Sequence, residues 1–123
     1  MKALDIAKHK IHLTNILIDI YKNSFLAPAL GFKGGTAALL FYQLPRFSID
    51  LDFDLIPRYE PGSPELDLLI KKITGLLSAK YKINDQSRKY HTLFWLVSYG
   101  TGLTQIKIEI STLDPSYNRY NST

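Results

Sequence analysis

Residues 48–55, Ser48-Ile49-Asp50-Leu51-Asp52-Phe53-Asp54-Leu55, alternate strictly between polar and apolar side chains. Period two marks a β-strand with one face in a core. Ile49, Leu51, Phe53 and Leu55 are predicted to point inward; Ser48, Asp50, Asp52 and Asp54 point the other way. Alternate residues of a strand lie about 6–7 Å apart at the backbone, so Asp50 and Asp52 reach toward a common point. Two carboxylates held close repel each other. A divalent cation resolves that conflict, and Mg²⁺ (or Mn²⁺) takes one or two carboxylates together with waters and substrate phosphates. On this strand alone, a solvated acidic face is the simpler reading, and Asp54 reads most simply as an exposed acid at the strand end.

Two neighbouring stretches bear on the choice. Lys33-Gly34-Gly35-Thr36 follows a short predicted strand containing Leu30 and Phe32 and opens a segment, Thr36 to Leu44, that is apolar nearly all round and reads as a buried helix ended by Pro45. Glycines let a backbone approach a phosphate closely, and a helix N-terminus offers free N–H groups. The spacing is not that of a Walker loop, and a tight turn is the plainer explanation of the glycines. Farther along, Ile106, Ile108 and Ile110 are predicted to face the core, with Gln105, Lys107 and Glu109 on the other face. Glu109 is the candidate third carboxylate, with Lys107 beside it as a candidate nucleotide contact. Three carboxylates around metal ions suit phosphoryl-type transfer, and one of them can accept a proton from an attacking hydroxyl. The rival role for Glu109 is a cross-strand salt bridge.

The rest of the chain supplies a frame. Residues 4–24 read as an amphipathic helix, with Leu4, Ala7, Ile11, Thr14, Ile18 and Tyr21 at helical spacing and Leu17 and Ile20 widening the stripe. Ser63-Pro64 is an N-cap and first helical residue, and Leu66, Leu69, Ile70, Ile73, Leu76 and Leu77 carry a second amphipathic helix to about Lys80. Strands are predicted at 81–89, 92–99 and 104–110, the last two an antiparallel hairpin around Gly100-Thr101-Gly102. The order α-β-α-β-α-β-β-β implies an α/β (α+β) domain, helices packed on a mixed sheet. Trp95 reads as core. His9 and His12 read as surface histidines, since no third metal ligand lies near them. Lys80, Lys82, Arg88, Lys89 and His91, with Tyr81 and Tyr90, form a basic, aromatic-containing region. It suits an RNA backbone and, equally, a strand edge protected by charge.

The chain has 123 residues, 46% hydrophobic and 21% charged, ordinary usage for one globular domain. It contains no cysteine, which excludes disulfides and thiolate metal sites. No apolar run approaches the ~20 residues that span a bilayer, and the N-terminus lacks a signal-peptide core. The expectation is a soluble, cytoplasmic protein with no membrane role. A formal charge of +4 leans modestly toward polyanionic partners and is equally an ordinary basic surface.

Gly34-Gly35-Thr36 followed by Arg46-Phe47-Ser48-Ile49-Asp50-Leu51-Asp52 resembles the signature of the polymerase-β-like nucleotidyltransferases, and more narrowly that of the AbiEii/AbiGii-type toxin family. The resemblance is close over residues 33–54, and Lys107-Ile108-Glu109-Ile110 resembles the family's later acidic strand. It implies a mixed sheet flanked by helices and transfer of a nucleoside monophosphate from a nucleoside triphosphate to an acceptor, RNA or tRNA. It also implies a toxin–antitoxin or abortive-infection setting with a cognate antitoxin. By position, Asp50 and Asp52 would hold Mg²⁺; Gly34, Gly35, Thr36 and Ser48 would contact the triphosphate; Arg46 would pair with phosphate or fix its loop. The family often carries Asp where this chain has Glu109, one methylene longer. The family usually continues into a helical C-terminal half, so residues 1–123 are expected to be one catalytic domain without that half. The alternative expectation is a catalytically degenerate or truncated nucleotide- or nucleic-acid-binding module.

Overall fold

The computed structural model describes residues 6–33, 50–89, 91–100 and 104–112. Within them the chain forms α1 (Ile6–Lys22), β1 (Leu30–Lys33), β2 (Asp50–Leu55), α2 (Pro64–Ser78), β3 (Lys82–Lys89), β4 (Thr92–Ser98) and β5 (Gln105–Ser111). The five strands make one sheet in the order β1-β2-β5-β4-β3. β2 and β5 run parallel, and every other neighbouring pair is antiparallel. The sheet is therefore mixed, as predicted. The predicted helix from Thr36 to Leu44 and the Gly100-Thr101-Gly102 turn beyond Gly100 lie outside the described residues. The antiparallel pairing of β4 with β5 is present, with Ser98 opposite Gln105.

Alternation in the sequence becomes a two-sided sheet. Leu51, Phe53 and Leu55 of β2, Leu93, Trp95 and Val97 of β4, and Ile106, Ile108 and Ile110 of β5 are all buried in one core. Both described helices lie on that face. Trp95 is 1% exposed, and its indole Nε1–H donates to Thr74 Oγ1 on α2 at 3.0 Å. Tyr21 of α1 meets Phe53 at 6.4 Å between ring centroids. Among the described residues, no helix covers the opposite face.

α2 begins where the sequence says it should. Gly62 takes φ +77°, a left-handed conformation that only glycine adopts freely. Ser63 Oγ then accepts from Leu66 N–H at 3.2 Å, and Pro64 fills the first helical position without wasting a donor. Leu66, Leu69, Ile73 and Leu77 form its buried stripe. The helix stops at Ser78, short of Lys80, where Lys80 N–H closes a tighter i→i−3 turn onto Leu77 carbonyl at 3.2 Å. α1 likewise stops at Lys22 rather than residue 24. Asn23 Oδ1 accepts from the N–H groups of Phe25 and Leu26 at 2.9 and 3.0 Å, which commits the chain to a turn.

Two expectations about α1 are overturned. The face it buries is Leu13, Ile16, Leu17 and Ile20 together with His9, so the predicted Leu17 and Ile20 do go inward, while Ile11 and Ile18 are 58% and 47% exposed. Both stripes fit helical spacing. Leu13-Ile16-Leu17-Ile20 offers four large aliphatic side chains, whereas the other includes Ala7, Thr14 and Tyr21; the face with more apolar area goes inward. His9 and His12 are consequently not surface histidines. His9 is fully buried, with Nδ1 2.6 Å from Tyr99 Oη. His12 Nδ1 lies 3.0 Å from Tyr81 Oη, and its ring stacks on Tyr99 at 4.0 Å between centroids. Desolvation by burial, followed by the nearby Lys8 charge, holds the His12 imidazole below its usual pKa. The same burial, with Asp19 and Tyr99 adding to it, pushes the Tyr81 phenol up.

Candidate active site

The parallel β2–β5 pair fixes the site. Its register sets Asp50 opposite Lys107, Asp52 opposite Glu109 and Asp54 opposite Ser111. Parallel neighbours lie about 4.8 Å apart, so Asp52 and Glu109 stand shoulder to shoulder on the face opposite the core. The core side of each strand is wholly apolar and packed, which fixes the direction of the acidic side. Asp52, Glu109 and Ser111 line a cleft of about 250 Å³ together with Phe53 and Thr92. Glu109 Oε1 sits 3.1 Å from Lys107 Nζ on the same strand. The salt bridge expected across strands thus runs along one strand, and it balances part of the charge repulsion between the two acids.

The sequence-assigned residues divide into two groups. Asp52, Glu109 and Lys107 are brought together, and for Asp50 the strand register places the backbone beside Lys107. Gly34, Gly35, Thr36, Arg46 and Ser48 lie outside the described residues. Asp54 sits opposite Ser111 at the other end of the pair. Among the described residues, no three metal-binding side chains are gathered as a group. Asp52 and Glu109 nevertheless fit a hard cation: both are carboxylates, and they lie in register at one cleft. The two hydroxyls in the cleft were not singled out in the sequence. Ser111 carries a signal, since it lies two residues beyond Glu109 on a strand. Thr92 carries none, because only the β4–β5 register, which places it opposite Ser111, brings it there.

The family profile described as "Nucleotidyl transferase AbiEii toxin, Type IV TA system" matches residues 15–122. The chain belongs to this family. The AbiEii match runs from within α1 through β5 and contains every sequence-assigned site residue. Two solved structures share the AbiEii chain's fold. One is a candidate nucleotidyltransferase from H. pylori, 23% identical, covering 92% of this chain and 48% of its own, with a TM-score of 0.56. The other is JHP933 from Helicobacter pylori, 22% identical, covering 94% and 49%, with a TM-score of 0.54. The AbiEii chain spans about half the length of these structures. No curated protein matches it. Among the described residues, no helix is long and apolar enough to cross a membrane.

Proposed function

We propose that this chain carries the metal and phosphate half of a nucleotidyltransferase site, which moves a nucleoside monophosphate from a nucleoside triphosphate to an RNA acceptor, tRNA included. The observation that supports it is the register of Asp52 with Glu109 in one cleft, in a chain of the AbiEii family. Asp50, Asp52 and Glu109 would hold Mg²⁺ or Mn²⁺. Bound there, the cation would supply Lewis-acid stabilisation of the charge that develops during transfer. Lys107 steadies the Glu109 carboxylate and brings a positive charge to the phosphate side. Gly34, Gly35, Thr36 and Ser48 are proposed to contact the triphosphate, and Arg46 to pair with phosphate. A carboxylate of the cleft would accept the proton of the attacking hydroxyl. The setting is a cytoplasmic toxin countered by an antitoxin.

The experiment is incorporation of labelled nucleoside triphosphate into an RNA pool, in Mg²⁺ and in chelator. Transfer by the parent protein and its loss in Asp50→Asn, with the circular dichroism spectrum unchanged, is the expected result. Equal transfer by the Asn variant would overturn the mechanism.

One observation favours a second reading. Glu109 is already engaged by Lys107 at 3.1 Å, as suits a module that binds nucleotide without turning it over. Mg²⁺-dependent triphosphate binding by calorimetry with no transfer would select that reading; measured turnover would remove it.

A further inference from the structure

The sheet face opposite the described helices carries an apolar feature that the carboxylate site does not use. On β4 the residues of that face are Thr92, Phe94, Leu96 and Ser98, all half-buried, while Leu93, Trp95 and Val97 fill the core side. Phe94 is thus a large aromatic on the face that also bears Asp52, Asp54, Lys107 and Glu109. The β4–β5 register sets Phe94 directly opposite Glu109 and Leu96 directly opposite Lys107. Across the sheet the row reads Asp52, Glu109, Phe94, Ser87. Directly opposed antiparallel residues have Cβ atoms about 4.5–5.5 Å apart. The ring of Phe94 therefore borders the carboxylates, just beside the cleft that Asp52, Glu109, Thr92 and Ser111 line.

Among the described residues, core packing does not explain the placement. The core lies on the other side, where Trp95 is held between the sheet and α2. Among the described residues, no helix lies over Phe94. An aromatic at such a point has one property its polar neighbours lack: a flat π-face that takes any base by stacking. The groups around it complement the rest of a nucleotide. Lys107, opposite Leu96, supplies positive charge for phosphate, and the acids supply oxygen ligands for a cation that phosphate shares.

We propose that Phe94 is the stacking platform for a nucleobase whose phosphate end points at the Asp52–Glu109 cleft, with Leu96 extending the apolar bed. This rests on the nucleotidyltransferase reading of the cleft. The shared chemistry is a nucleobase, supplied either by the bound triphosphate or by the end of a single-stranded acceptor. Phe94 is a positioning residue: it sets where the sugar–phosphate lies relative to the carboxylates.

The test has two arms, titrating a nucleoside triphosphate with Mg²⁺ in one and a short single-stranded RNA in the other. Each is run on the parent, Phe94→Leu and Phe94→Trp. Leucine keeps apolar area and removes the π-face. Stacking energies of about 1–3 kcal/mol per base correspond to about 5- to 150-fold in affinity. Phe94→Leu is expected to weaken binding by that factor in the arm whose base is stacked and to leave inorganic triphosphate binding unchanged. Phe94→Trp is expected to bind within about threefold of the parent, with its new indole emission quenched on saturation. Quenching separates stacking from a structural role, since Trp95 lies under the other face. Unchanged affinity of Phe94→Leu in both arms, with the parent binding, overturns the platform and leaves the cleft reading standing. Failure of the parent to bind either ligand overturns both.

Discussion

Asp52 and Glu109 are register partners across β2 and β5, the single parallel pair in the described sheet. Neither residue can be moved without disturbing the other's charge environment. Asp52→Asn removes one charge while keeping the shape. Loss of several kcal/mol of metal-assisted stabilisation corresponds to a fall of about 10²- to 10³-fold in transfer rate. Single-turnover kinetics with labelled triphosphate would measure it, and a rate within about threefold of the parent would remove Asp52 from the site.

Lys107 and Glu109 are each about one-third exposed, with side-chain exposures of 38% and 34%. An ion pair so open to solvent contributes about 0–1 kcal/mol to stability. Lys107→Ala should therefore leave the urea midpoint nearly unchanged while weakening triphosphate affinity. A large stability loss with no change in affinity would make the pair structural.

Trp95 stands behind the site rather than in it. Trp95→Ala opens a cavity between β4 and α2 and should cost about 3–5 kcal/mol. Trp95→Phe should cost less, chiefly the hydrogen bond to Thr74, about 1 kcal/mol. Equilibrium urea denaturation distinguishes the two.

Ser63→Ala removes the oxygen that accepts from Leu66 N–H at the start of α2. The expected loss is about 1 kcal/mol, and Ser63→Asp should restore it. Thermal melts of the three proteins check the order.

His12 gives the fold a pH dependence. Its pKa is lowered from 6.5 in the folded chain, so between the folded and unfolded values the unfolded chain binds more protons. Its contribution is complete above about pH 6.5 and is lost as pH falls through that value toward the lowered one. Tyr81 acts at the other end: its pKa is raised from 10.0, so stability falls as pH rises beyond 10. Urea midpoints from pH 5 to 8 should fall on acidification in the parent and fall less in His12→Gln. Identical slopes would dismiss the histidine.

The strands were the most legible part of the chain. Period two survives any rotation of reading frame, so Leu51-Phe53-Leu55 and Ile106-Ile108-Ile110 could only face one way, and with them Asp52 and Glu109. The phase of α1 was not legible. Its two apolar stripes adjoin at Leu17 and Ile20, and the choice depends on how much area each side buries against the sheet. The histidine–tyrosine contacts were hidden for a related reason: His9 and Tyr99 lie far apart in sequence and meet only through packing. Ser111 could be inferred from its spacing to Glu109, whereas Thr92 needed the β4–β5 register.

The strand order also sets a schedule. β2 carries Asp52, but its parallel neighbour β5 is the last described strand, and α2, β3 and β4 are made in between. Chains emerge from the ribosome N-terminal end first, and pairings between distant segments form late. A nascent chain that has released β2 still lacks the partner acid, so the cleft closes only once β5 has emerged. A chain broken off anywhere before β5 therefore carries Asp52 without its paired acid.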